Sequence, residues 1–140
     1  MQLVIFDFDG VLNTSPEIKK VITELHSKYI LAIVSSTSTR SIQNYLEREG
    51  FSVIFVDIAG GDMLGSKTNK IKALLKKYEV APEEAVYITD TVSDLIEARE
   101  CGVQSIAVTW GYQNENTLQK ANPAKVINKP EDLINAIETI

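Results

Sequence analysis

Short apolar runs alternate with segments of helical period from one end of the chain to the other. This alternation restricts the fold more than any single motif. Residues 2–6 (QLVIF), 29–35 (YILAIVS), 52–56 (SVIFV), 85–89 (AVYIT) and 104–108 (QSIAV) read as buried strands. The first helix opens at Ser15-Pro16-Glu17, where Ser15 can cap and Pro16 suits the first helical position, whose N–H needs no partner. Ile18, Val21, Ile22 and Leu25 follow on one apolar face. A second helix over 39–49 turns Ile42, Tyr45 and Leu46 inward and stops at Gly50, where a left-handed residue is wanted. A polar, Gly-rich stretch at 57–66 leads to a helix near 68–78 carrying Ile71, Leu74, Leu75 and Tyr78. A fourth helix covers 92–101 and closes at Gly102. The tail holds a short helix near 115–121, an extended piece at 125–127 and a last helix opening at Pro130. Strands joined by helices with short connections need right-handed crossovers, and these force a parallel sheet covered on both faces. The expectation is a doubly wound three-layer α/β/α fold, Rossmann-like, with five or six parallel strands in one domain, 1–140.

Composition narrows the function. The 140 residues carry a net charge of −5, and the pI is near 4.9. Bulk charge therefore disfavours nucleic acid, whose phosphates are gripped by clustered Lys and Arg. Lys67, Lys70, Lys72, Lys76 and Lys77 form the one dense basic group, and at helical spacing they read as a solvated face. A single cysteine, Cys101, allows no internal disulfide, and no apolar run is long enough to span a bilayer. The opening MQLVIFDFDG puts acids where an export signal needs hydrocarbon. A cytoplasmic setting is expected.

On doubly wound sheets, ligands bind beyond the carboxyl ends of the strands. Strand one ends in Asp7-Phe8-Asp9-Gly10, strand two in Ser35-Ser36, and strand four in Thr89-Asp90, with Asp94 one turn later. Lys67 precedes the helix that leads to strand four. Asp7 and Asp9 have the same parity and follow a buried run. Several acids so placed repel one another and are poorly solvated. A hard divalent cation such as Mg²⁺ relieves the conflict, because it takes oxygen ligands and keeps waters for the rest of its octahedron.

These residues resemble the haloacid dehalogenase superfamily over nearly the whole chain. DFDGVLNTS is similar to its first motif, LAIVSS to the second, Lys67 in GGDMLGSKTNKI to the third, and VYITDTVSDLIEARECG to the fourth. VTWGYQNENTL and NKPEDLINAI look like the ending of phosphoglycolate phosphatase-like members. The resemblance implies a Mg²⁺-dependent phosphomonoester hydrolase. Asp7 would be the nucleophile that forms an aspartyl-phosphate, and Asp9 the acid and base. Asp9 also favours phosphoryl transfer, since dehalogenases of the family lack it. Ser35, rather than Ser36, would bond the phosphoryl oxygens, with Ser36 beside it. Lys67 would neutralise charge, and Gly10 would let the backbone approach and donate. Asp7, the backbone carbonyl of Asp9, and Asp90 would hold Mg²⁺, with Asp94 bound directly or through water. The tail implies a small phosphorylated metabolite as substrate.

Two positions depart from the family pattern. Thr89 stands where many members have Gly, and Thr68 where Pro is common. Lys70 is a rival to Lys67 one helical turn on. Positions 8–34 and 36–66 leave no room for a cap domain, so the site is expected to be open. Either a large substrate or a neighbouring copy in a homo-oligomer would then cover it. Two other readings compete with an enzyme. One is a phosphate-binding or regulatory module with little hydrolysis, favoured by Thr68 and Thr89. The other is a receiver domain, whose phosphoacceptor would sit at the end of strand three, where Val56-Asp57 stands. His26 reads as a helix-terminal residue, and Cys101 as a buried packer. Trp110 and Tyr112 read equally as pocket lining or as packing under the last helix.

Overall fold

The computed structural model describes residues 1–140. Six parallel strands form one sheet: β1 (Leu3–Phe6), β2 (Ile30–Val34), β3 (Asp57–Ala59), β4 (Ala85–Thr89), β5 (Gln104–Val108) and β6 (Lys125–Ile127). Their order is β3-β2-β1-β4-β5-β6. The order reverses between β1 and β4, which pair in register from Leu3↔Ala85 to Phe6↔Ile88. The helices are α1 (Pro16–His26), α2 (Thr39–Glu49), α3 (Lys67–Lys77), α4 (Val92–Glu100), α5 (Glu115–Gln119) and α6 (Leu133–Glu138). No domain is inserted between these elements. The stretch from β1 to β2 holds only α1, and that from β2 to α3 holds only α2, β3 and their loops. No helix is long and apolar enough to cross a membrane.

Strand parity assigns the two faces. Val4 and Phe6 of β1 join Ile18 and Leu25 of α1, Ile42 and Leu46 of α2, and Leu133 and Ile137 of α6 in one core. Leu3 and Ile5 join Ile71 and Leu74 of α3 and Ala98 of α4 in the other. A smaller cluster of Leu95, Ala107, Leu118 and Ala121 seats α5. The central strands are buried on both faces, so they read as continuous apolar runs rather than alternating ones. Tyr87 belongs to the α3–α4 face and is fully buried; its hydroxyl donates to the Val34 carbonyl at 2.8 Å. Burial pushes that phenol well above its usual range, so it stays protonated and serves as a fixed donor.

Residues 52–56 are not a strand. Phe51, Ile54 and Phe55 are buried while Val53 is 86% exposed, and the Ile54 amide donates to the Phe51 carbonyl at 3.1 Å. Those buried residues stand at offsets of 0, 3 and 4, the spacing of a turn, which a short apolar run cannot reveal by itself. The true third strand, Asp57–Ala59, begins where the apolar run ends. Asp57 thus stands at the start of β3, and its carboxylate accepts from Lys77 Nζ at 2.7 Å and from the Tyr78 hydroxyl at 3.1 Å. A receiver-like phosphoacceptor at that position is excluded, because the other end of the strand faces the remaining acids. Ser15 takes the extended cap conformation, but its side chain makes no capping bond.

Candidate active site

Asp7 follows β1 with the parity of Leu3 and Ile5, so it turns to the α3–α4 face. There it meets one residue from each helix. Lys67, the first residue of α3, donates to both carboxylate oxygens of Asp94 on α4 at 2.8 Å, and its Nζ lies 3.5 Å from Asp7 Oδ1. Asp7 Oδ1 also accepts from the Phe8 amide at 2.8 Å. Burial and the Asp94 charge push the Asp7 carboxyl up to about 7, against the pull of Lys67 and the Phe8 amide. Burial opposes the charge on Lys67, but Asp7 and Asp94 together outweigh it and hold its pKa above the usual lysine value.

Asp9 sits apart from this pair. Its carboxylate accepts from Asn13 Nδ2 at 3.0 Å and from the Thr37 hydroxyl at 2.7 Å. Asn13 Oδ1 in turn accepts the Gly10 amide at 3.0 Å. The N–H expected to face a phosphate is therefore spent within the loop. The value of Gly10 lies elsewhere: its φ is +77°, and a Cβ there would stand 2.4 Å from Asp90 Oδ2. Gly111 flanks Asp90 in the same way, with a Cβ position 2.2 Å from Oδ2. The two glycines let the backbone close around this carboxylate.

Asp90 is fully buried, and burial raises its pKa. Oδ2 accepts the Tyr112 amide at 2.8 Å, whereas Oδ1 has no hydrogen-bond partner. An orphaned, buried carboxylate oxygen is costly unless something polar or cationic meets it. Ser35 is buried at the end of β2; its Oγ accepts the Thr37 amide at 3.0 Å, leaving its proton to donate elsewhere. Ser36 is exposed beside it. One open, polar cleft is lined by Asp7, Asp9, Ser35, Ser36, Lys67, Asp90 and Asp94, with Tyr112 at its rim.

The residues expected to hold Mg²⁺, Asp7, Asp9 through its backbone carbonyl, Asp90, and Asp94 directly or through water, all border this cleft. No three acidic, His or Cys side chains are grouped as a cation cage. The ammonium of Lys67 takes both oxygens of Asp94, and Thr89 donates to Asp94 Oδ2 at 2.7 Å. Mg²⁺ does not require such a cage, since one or two carboxylates with waters and substrate oxygens suffice. Asp7, a buried carboxylate lining the open cleft, and Asp90, with its unpaired Oδ1, fit that demand.

The two departures from pattern have local explanations. Thr89 holds Asp94 toward Lys67. Thr68 is buried at the start of α3, and its hydroxyl engages the Glu97 carbonyl at 2.8 Å and Glu100 at 3.2 Å. Sequence reasoning missed Thr37 as the partner of Asp9 and Gly111 as the neighbour of Asp90. Thr37 lies only two residues past Ser35, on the same strand end, which is the signal that could have drawn attention to it. Trp110 packs against the core and donates to the Val11 carbonyl at 3.2 Å, whereas Tyr112 projects from the cleft rim. His26 is exposed in the last turn of α1, away from the site. Cys101 is buried, and burial raises its thiol pKa.

A doubly wound sheet with polar residues gathered at its switch point defines a class of α/β proteins that bind ligands beyond the strand ends. Residues 12–108 match the family of haloacid dehalogenase-like hydrolases, and the chain belongs to that family. The match begins just after the Asp7–Gly10 segment. Among curated relatives, the chain is 29% identical over 127 residues to phosphoglycolate phosphatase from Synechococcus elongatus, covering 90% of this chain and 60% of that one. It is 30% identical over 112 residues to phosphoglycolate phosphatase from Vibrio cholerae, covering 77% and 50%. The chain thus spans about half to three-fifths of the length of the curated relatives it matches. A haloacid dehalogenase-like hydrolase from Streptococcus pneumoniae superposes with a TM-score of 0.84 over 98% of both chains at 19% identity, a likeness of fold.

Proposed function

We propose that residues 1–140 form one catalytic core that hydrolyses phosphomonoesters through an aspartyl-phosphate, with Mg²⁺ as cofactor. The observation that carries this reading is the pairing of Asp7 and Lys67 in an open polar cleft beside the unpartnered Oδ1 of Asp90. The names of the Synechococcus and Vibrio relatives support phosphatase chemistry.

In this mechanism Asp7 attacks phosphorus. The Phe8 amide and Lys67 both engage Oδ1, which leaves Oδ2 as the attacking oxygen. Lys67 lowers the barrier by balancing charge on the phosphoryl oxygens, which carry most of the transition-state charge. The Ser35 hydroxyl donates to one of those oxygens. Asp9 protonates the leaving alcohol and then takes a proton from the water that hydrolyses the aspartyl-phosphate. Thr37 and Asn13 hold its carboxylate in place for both steps. Asp7, the Asp9 carbonyl and Asp90 would hold Mg²⁺, with Asp94 acting at most through water. The ion would supply charge neutralisation, so that an anionic ester can enter beside four acids.

The test is turnover of a generic aryl phosphate. Asp7→Asn and removal of metal by chelation are each expected to abolish it, and an acid-quenched wild-type reaction should carry phosphate on Asp7. Full activity after either change refutes the mechanism. Tight phosphate binding without turnover in the wild type would favour the non-hydrolysing module instead.

A further inference from the structure

A cavity opens at the N-terminal end of β5, on the side of the sheet covered by α4 and α5. Its volume is about 290 Å³, near the lower end of the roughly 300–1,000 Å³ usual for small-molecule sites. Leu95 and Arg99 of α4, Gln104 and Ser105 at the start of β5, and Asn122 and Ala124 before β6 border it. Ser105 shares the parity of Ala107, which packs against Leu95, so its side chain turns toward the cavity. The residue is only 5% exposed, and its Oγ has no hydrogen-bond partner. A buried hydroxyl so placed is costly until a polar group meets it. Both hydrogen bonds of Arg99, to the carbonyls of Ala121 and Asn122, leave from Nη2. The N–H donors of Nε and Nη1 stay free. Arg99 enters no ion pair, and no acid borders the cavity. The carbonyls near the end of α4 are already engaged, Ala98 by the Cys101 and Val103 amides and Arg99 by the Gly102 amide. What remains unengaged is one cation and one buried hydroxyl.

We infer that this cavity binds a small organic anion, with Arg99 and Ser105 donating to its carboxylate or phosphate oxygens and Leu95, Pro123 and Ala124 lying against its carbon body. Guanidinium suits either anion, because its planar donors match the geometry of their oxygens. The cavity shares no residue with the Asp7 cleft, so the inference stands apart from the phosphatase reading. The two sites are joined by one helix: α4 carries Asp94 in its first turn and Arg99 in its last. The competing role is structural. Arg99 would then only cap the carbonyls that follow α5, and the Ser105 hydroxyl would meet at most a water.

The experiment follows backbone amides by NMR while the 140-residue chain is titrated with butyrate, propylphosphonate or the neutral butyramide. At least one of the two anions is expected to shift the Ser105 and Ala124 amides saturably, about 10-fold or more tightly than butyramide, as a charge-assisted contact would. Whichever anion binds more tightly tells carboxylate from phosphate. Arg99→Met should weaken that binding about 10–100-fold. Ser105→Ala should weaken it at least about threefold, yet leave the melting temperature unchanged or higher, because it removes a buried oxygen that lacks a partner. That second variant decides the matter if Arg99→Met disturbs the turn after α5. Shifts confined to the amides around Asp7 overturn the inference, as does no shift at Ser105 or an equal affinity for butyramide. So does an affinity indifferent to either substitution, which marks Arg99 as a cap and nothing more.

Discussion

Replacing Asp7 with Asn should stabilise the metal-free protein at alkaline pH while removing its activity. The Asp7 carboxyl titrates at about 7 in the fold, against 3.8 for an ordinary aspartate. Between those values the folded state retains a proton that the unfolded chain has released. Stability therefore falls as pH rises through the window, the reverse of the usual behaviour of a paired carboxylate. The full penalty is on the order of 4 kcal/mol, since one pKa unit corresponds to about 1.4 kcal/mol. Between about pH 5 and about pH 8 the wild type should lose about 2–3 kcal/mol of that stability, and Asp7→Asn none of it. For a chain of this length that moves the gap between their melting temperatures by about 6–10 °C. Asn keeps an oxygen for the Phe8 amide, and Lys67 keeps both bonds to Asp94, so the substitution removes charge with little loss of contact. The assay is thermal unfolding of both proteins at the two pH values with chelator present. A gap that does not move with pH, or that moves in favour of wild type as pH rises, would refute the claim that Asp7 is a strained, buried charge.

Gly111→Ala puts a methyl 2.2 Å from Asp90 Oδ2, so it should displace that carboxylate and reduce the rise in melting temperature caused by Mg²⁺; an unchanged Mg²⁺ titration counts against Asp90 as a ligand. Lys67→Met leaves Asp7 and Asp94 facing each other without a counterion, and is expected to cost about 3–5 kcal/mol in urea unfolding near pH 8. Near pH 5, where Asp7 holds its proton, the same substitution should cost clearly less. Tyr87→Phe strips the Val34 carbonyl of a buried donor and should cost about 1–3 kcal/mol in urea unfolding.

Much of the scaffold was legible in the residues. The apolar runs at β1, β2, β4 and β5 are long enough to be told from turns, and helix-period faces such as Ile18, Val21, Ile22 and Leu25 match the buried sides of the helices that formed. The family pattern located the strand ends to which Asp7, Ser35 and Asp90 belong and the helix start at Lys67, because short-range order fixes where a strand stops and a helix begins. The third strand was misread because Phe51, Ile54 and Phe55 bury at turn spacing, and hydrophobicity alone does not distinguish that from an extended run.

What only the folded arrangement decided was the pairing among charges. The sequence supplied four acids and two lysines at one edge of the sheet, with nothing to say which acid each lysine meets. Parity after β1 and the meeting of α3 with α4 send Lys67 to Asp94 and Asp7. Gly10 and Gly111 close over Asp90 and leave one of its oxygens bare, and Lys70 is buried with its ammonium on the Gly60 carbonyl. Electrostatic partnership depends on distances of a few ångströms between residues tens of positions apart, and local pattern carries no information on that scale.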